Sequence, residues 1–240
     1  MPNKLPPNLA IAVIRLPSSE WLPPDLARIP LSLQQQAACF NVKRQQQFLS
    51  GRWLLAELLF NQLGYARLPE IEITDNGRPA FISNDANGLI DFNISHSGEY
   101  IMVALAQGCR IGLDVEHIHP RKNLLKLAQY SFSPEEYQWL LSLPSSQQND
   151  GFWQLWTLRE SVLKLSAKGV WQMKQLRINP QQRHVSADFL PQLFCFTSRQ
   201  DDRAWAVASD YNIDQPKIWL VDSESKLVAG ESANLIRFMG

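Results

Sequence analysis

Residues 111–118 read IGLDVEHI. Ile111, Leu113, Val115 and Ile118 give the run the character of a largely buried strand. Strand side chains alternate, so Asp114 and Glu116 share one face while Val115 points to the other. Two carboxylates about 5–6 Å apart repel by roughly 3 kcal/mol at an effective dielectric near 20. Such a pair stays in water or holds a cation between its members, and the apolar flanks favour the cation, because buried like charges need a counter-ion. An all-oxygen donor set suits magnesium, with manganese as the alternative. His117 and His119 lie beside the pair, but HIH running into Pro120 reads as a polar strand end rather than a zinc site.

A second stretch, WTLRESVLKL at 156–165, has helical spacing. At 100° per residue Trp156, Glu160 and Lys164 fall within about 80° of one another on one stripe. Glutamate four residues before lysine is, by itself, a surface pair worth roughly 0.2–0.5 kcal/mol. Next to IGLDVEHI it has a second reading, in which Glu160 supplies a third carboxylate and Lys164 a cation one turn further on. FNISHSGEY at 92–100 adds Ser95 and His96 where a strand is expected to run into a turn, a place where hydroxyl, imidazole and backbone N–H groups can meet an anion. Arg52, Arg78 and Arg159 are further scattered cations.

The 240-residue chain is long enough for one large domain or two small ones. Its 23 Lys and Arg balance 23 Asp and Glu, which argues against broad electrostatic binding of nucleic acid; an anion must be held by a local cluster. The run Leu9–Ile14 is too short for a membrane span and lacks the layout of a signal peptide, so no membrane association and a cytoplasmic location are expected. Cys39, Cys109 and Cys195 are widely spaced and read as buried thiols rather than disulfides or zinc ligands. Periodicity predicts a helix over about 31–63, a helix beginning at FSPEEYQWLL with a Ser133–Glu136 capping box, and a helix from about 150 to 167 that stops at Lys168–Gly169. Strands are expected at LAIAVIRL, IEIT, RPAFIS, LIDFNIS, YIMVALAQ, CRIGLDVEHI, QLRI, QLFCFT, AWAVAS and KIWLVD. The pattern is α+β, with hairpin-like strand pairs rather than strict alternation.

FLSGRWLLAELL, DNGRPAF, FNISHSG, IGLDVE, FSPEEYQWL and FWQLWTLRESVLKL follow one another in order across roughly residues 44–170. This series resembles the phosphopantetheinyl transferases of the long, surfactin-synthetase-activating (Sfp-type) class. The resemblance implies transfer of the 4'-phosphopantetheine arm of coenzyme A to a serine of an acyl or peptidyl carrier protein, with release of adenosine 3',5'-bisphosphate. It implies metal ligation by Asp114, Glu116 and Glu160, catalytic roles for Glu160 as base and Lys164 at the pyrophosphate, and coenzyme contacts from Arg52, Arg78, Ser95, His96 and Arg159. Arg78 and Arg159 stand where the family more often has lysine, and the basic stretch before the long helix is thin, with only Lys43 and Arg44. The fold implied is a pair of similar α/β halves about a pseudo-twofold axis, here 1–107 and 108–240, acting as a monomer with coenzyme in the cleft between them. Residues 119–132, HPRKNLLKLAQYSF, mix cations with leucines and are the expected docking surface for an acidic carrier. Two rivals are a non-catalytic module binding coenzyme A or carriers, and a magnesium-dependent phosphodiesterase.

Overall fold

The structure, a computed structural model, describes residues 7–17, 20–82, 89–167, 170–230 and 234–240. Along the first part of the chain lie β1 (Asn8–Arg15), α1 (Leu31–Ala38), α2 (Val42–Leu63), β2 (Ile71–Ile73), β3 (Pro79–Phe81), β4 (Ile90–Ser97) and β5 (Tyr100–Gln107). Then come β6 (Ile111–His117), α3 (Leu124–Ser131), α4 (Pro134–Ser142), α5 (Ser145–Ser166) and a 3-10 segment (Val170–Gln175). β7 (Leu176–Asn179), β8 (His184–Ala187), β9 (Phe194–Gln200), β10 (Arg203–Ser209), β11 (Lys217–Val221), β12 (Leu227–Ala229) and β13 (Ile236–Met239) complete the α+β chain. Among the described residues no helix is long and apolar enough to cross a membrane.

The chain divides into two units. The first takes the described residues of 1–110 and 213–232, the second those of 111–212 and 233–240. The division at 110/111 lies close to the expected 107/108, but residues 213–232 fall in the first unit rather than with 108–240. The reason is backbone pairing: β11 runs parallel to β1, with Ile11 opposite Ile218 and Val13 opposite Leu220.

In the first unit the sheet order is β12-β11-β1-β5-β4, with β2 and β3 as a separate hairpin. Ala10, Ala12 and Ile14 of β1 and Ile101, Val103 and Leu105 of β5 form a core with Trp53, Leu54, Leu55, Leu58 and Leu59 of α2. Each fully buried leucine of this kind contributes roughly 1.5–3 kcal/mol by leaving water. The single helix expected over 31–63 is two. Asn41 breaks it, adopting an extended backbone while its side chain accepts from the Arg44 N–H and starts α2 afresh. Gly64, at φ 73°, ends α2 in the left-handed conformation.

In the second unit the order is β6-β10-β9-β13-β8-β7. Phe152, Leu155, Leu158, Val162 and Leu165 of α5 pack in one core with Ala204, Ala206 and Ala208 of β10. Those alanines lie opposite Glu116, Asp114 and Gly112 of β6, so the sheet under α5 is floored by small side chains. α4 begins with the expected capping box, Ser133 Oγ accepting from the Glu136 N–H and the Glu136 carboxylate accepting from the Ser133 N–H. α5 starts five residues before the expected 150, directly after Pro144, and its expected stop at Lys168–Gly169 lies outside the described residues. β8, β12 and β13 are short strands with no counterpart among the expected ones. Cys109 and Cys195 are buried thiols as expected, but Cys39, the residue just past the end of α1, is exposed.

Candidate active site

β6 is a regular strand paired with β10 from Ile111 to His117, so alternation puts Gly112, Asp114 and Glu116 on one face, as the spacing predicted. That face meets α5. Asp114 is buried, and the Lys164 ammonium donates to its Oδ1 at 2.7 Å. Burial pushes the Asp114 carboxyl up to about 7; Glu116 and Glu160 push in the same direction and Lys164 opposes them. Glu160 is raised too, chiefly by burial and further by Glu116, again against Lys164. Three carboxylates therefore feel one another's charge around a single ammonium, all within the second unit.

The donor set is three hard carboxylates, the chemistry a magnesium-like ion takes. Among the described residues, however, no three His, Cys, Asp or Glu side chains are gathered closely enough to hold a metal ion. Asp114 is turned to Lys164, and side-chain rotation is required before three carboxylates could share one cation.

Arg159, one residue before Glu160, faces the interior. Its guanidinium donates to Glu136 Oε2 from Nε at 3.1 Å and from Nη2, to the Met173 carbonyl at 2.8 Å and to the Leu176 carbonyl at 3.3 Å. At 2% exposure it is sealed in the interior. This geometry is unfavourable to the coenzyme contact implied for Arg159, because helix pitch turns residue 159 about 100° from 160, into the core. Glu136, which also accepts from the Ile178 N–H at 2.9 Å, is the buried partner that the sequence does not disclose. Its capping role was legible, its second role as anchor for Arg159 was not. Trp156 stacks on Phe152 at 5.9 Å between ring centroids, four residues back on the same helix, consistent with a packing role.

The first unit holds a separate cavity of about 250 Å³, lined among others by Arg44, Phe48, Arg52, Phe92 and His96. Arg52 lies with its Cζ 4.4 Å from the Phe48 ring centroid, and burial lowers its pKa to about 10, so it remains a cation at neutral pH. Its Nε is buried and donates to no protein acceptor. A desolvated guanidinium of this kind gains by meeting an anion. Arg44, Phe48 and Arg52 recur at four-residue steps along α2, a pattern that could have exposed Arg44 and Phe48 as site residues.

Ser95 and His96 sit at the end of β4, where the strand runs into the turn at 98–99 as expected, and adjacent strand residues face opposite ways. His96 is exposed and reaches the cavity, whereas Ser95 is buried and does not line it. Arg78, also buried, is bound to Asp91 at 2.6 Å and to the Phe92 carbonyl at 3.2 Å, which ties the end of the hairpin turn to β4.

The family model of the 4'-phosphopantetheinyl transferase superfamily matches residues 110–216. Among curated relatives, the 4'-phosphopantetheinyl transferase AcpT of Escherichia coli O157:H7 is 34% identical over 147 residues, covering 61% of this chain and 70% of that protein. The 4'-phosphopantetheinyl transferase HetI of Nostoc sp. is 30% identical over 137 residues, covering 57% and 58% respectively. The uncharacterized protein YieE of Escherichia coli strain K12 is 30% identical over 201 residues, covering 82% of this chain and 79% of the relative.

Proposed function

The chain belongs to the 4'-phosphopantetheinyl transferase superfamily, and from that membership we propose how its own residues carry transfer of the 4'-phosphopantetheine arm from coenzyme A to an acyl or peptidyl carrier-protein serine. The observation that carries the reading is the Asp114–Lys164 ion pair, set among Glu116 and Glu160 where β6 meets α5. Phosphoryl transfer asks a protein chiefly for positioning and charge compensation. Asp114, Glu116 and Glu160 are the residues that would hold a divalent cation, magnesium or manganese, whose charge when bound offsets that of the coenzyme's diphosphate.

Glu160, its proton affinity raised by burial and by Glu116, takes the proton of the carrier serine as the serine oxygen bonds to the β-phosphorus. The bond from that phosphorus to the bridging oxygen breaks, and adenosine 3',5'-bisphosphate leaves. Lys164, released from Asp114, neutralises or protonates the departing phosphate. In the first unit, Arg52, with Arg44 and His96, is assigned to a phosphate of the coenzyme, and Phe48 and Phe92 supply apolar walls. Arg78 and Ser95 are assigned to holding the β3–β4 frame beneath that cavity.

For the carrier, residues 119–132 offer Arg121, Lys122 and Lys126 beside Leu124 and Leu125, with Tyr130 88% exposed. An open hollow of about 500 Å³ runs along this segment. Cations rimming apolar side chains suit an acidic partner that presents an apolar helix. With coenzyme A as donor, the cytoplasm is the compartment we assign.

The test is mass spectrometry of an apo carrier protein incubated with the protein, coenzyme A and magnesium. A gain of about 340 Da on the carrier, the mass of the transferred arm, is expected. No gain across acyl and peptidyl carriers, together with coenzyme binding, would favour a non-catalytic module. Hydrolysis of the coenzyme without a modified carrier would favour a phosphodiesterase.

A further inference from the structure

Gly112 shares the α5-facing side of β6 with Asp114 and Glu116. Its φ is not positive, so its backbone conformation is open to any residue and the reason for glycine lies in space. A Cβ at 112 would stand 2.1 Å from the Ser161 carbonyl oxygen, 2.3 Å from the Leu165 nitrogen and 2.9 Å from the Leu165 Cα. All three are main-chain atoms of α5, so no rotamer change relieves the clash. Ser161 and Leu165 flank Lys164 on the helix, and Asp114 follows Gly112 by one strand repeat.

We infer that Gly112 is a positioning residue of the active site: its missing side chain lets the α5 backbone settle on β6 at the height where Lys164 reaches Asp114. The catalytic consequence rests on the reaction proposed above. The steric claim does not. To bring the 2.1 Å approach to ordinary contact, α5 must retreat by about 1.3 Å. Directed along the Lys164–Asp114 vector, that movement stretches a 2.7 Å hydrogen bond beyond the range of about 3.2 Å in which such bonds act. A misplacement of about 1 Å in a catalytic constellation costs on the order of 10²-fold in rate.

The experiment is a pair of double-mutant cycles on the full chain. Asp114→Asn, Lys164→Met and their combination are made in the Gly112 background and in Gly112→Ala, and urea midpoints and kcat are measured for each. In the Gly112 background the two substitutions are expected to be coupled in stability. In Gly112→Ala that coupling is lost, kcat falls about 10²-fold, and adding Lys164→Met costs little more. Should Gly112→Ala fail to fold, Ala208→Val, on β10 directly opposite Gly112 and in the same core as Leu165 of α5, provides a second wedge under the helix, scored by the same cycles. Undiminished coupling in a folded wedge variant, or a Lys164→Met penalty as large there as in the wild type, overturns the inference, because a merely structural glycine leaves both unchanged. A wild-type protein inert on every carrier ends the reaction assignment, and the stability cycle still decides whether Gly112 sets the pair.

Discussion

Replacing Arg159 by methionine removes the cation from a carboxylate with no exposed surface. Glu136 is 0% exposed and Arg159 2%, and the pair joins α4, α5, the 3-10 segment and β7 through five hydrogen bonds from Nε, Nη1, Nη2 and the Ile178 N–H. Breaking one side of a buried ion pair costs about 3–5 kcal/mol, because the remaining charge is left without compensation. For a chain of this size each kcal/mol moves the midpoint by about 2–4 °C, so Arg159→Met is expected to lower Tm by roughly 6–20 °C. Removing both charges is less damaging than removing one, so Glu136→Gln combined with Arg159→Met should recover part of the loss. The assay is thermal unfolding followed by tryptophan fluorescence, paired with KM for coenzyme A measured well below the lowered Tm. KM is expected to stay near the wild-type value, since the guanidinium points into the core. A midpoint within about 2 °C of wild type together with a KM raised about tenfold would refute the reasoning and return Arg159 to the coenzyme.

Three further outcomes follow from the charges at the two sites. Asp114 titrates near 7 in the folded chain against an ordinary 3.8, so between about pH 4 and pH 7 the native state binds the extra proton. Stability therefore falls as pH rises through that window, by up to about 4 kcal/mol, relative to Asp114→Asn; parallel urea-midpoint curves for the two proteins would contradict it. Lys164→Met is expected to lower kcat about 10²-fold or more while leaving a folded chain; an unchanged single-turnover rate would restore the reading of a surface salt bridge. Arg52→Met removes a desolvated cation whose hydrogen bond to an anion is worth about 1.5–3 kcal/mol, so KM for coenzyme A should rise about 10- to 100-fold. Dephospho-coenzyme A as substrate tells whether the 3'-phosphate is the group held, since the difference between the two proteins then shrinks.

What the sequence made legible was local chemistry with a fixed repeat. Asp114 and Glu116 share a face because a strand has a period of two, and the capping box at Ser133 forms because its two bonds close within four residues. Glu160 and Lys164 stand together because helix pitch puts them there. Contacts set by tertiary packing stayed hidden. Periodicity says that residue 159 points away from 160, but not that Glu136 waits 23 residues back to receive it. Asn41 suits a helix cap, but a single Asn within an apolar period does not by itself mark a break, and residues 39–41, outside both helices, split α1 from α2. The parallel pairing of β11 with β1 joins residues some two hundred apart, where no spacing rule reaches. Gly112 shows the same limit in a single residue: in IGLDVE a glycine reads as a weakness in a strand, and its use emerges only when the backbone of α5 is found where its Cβ would be.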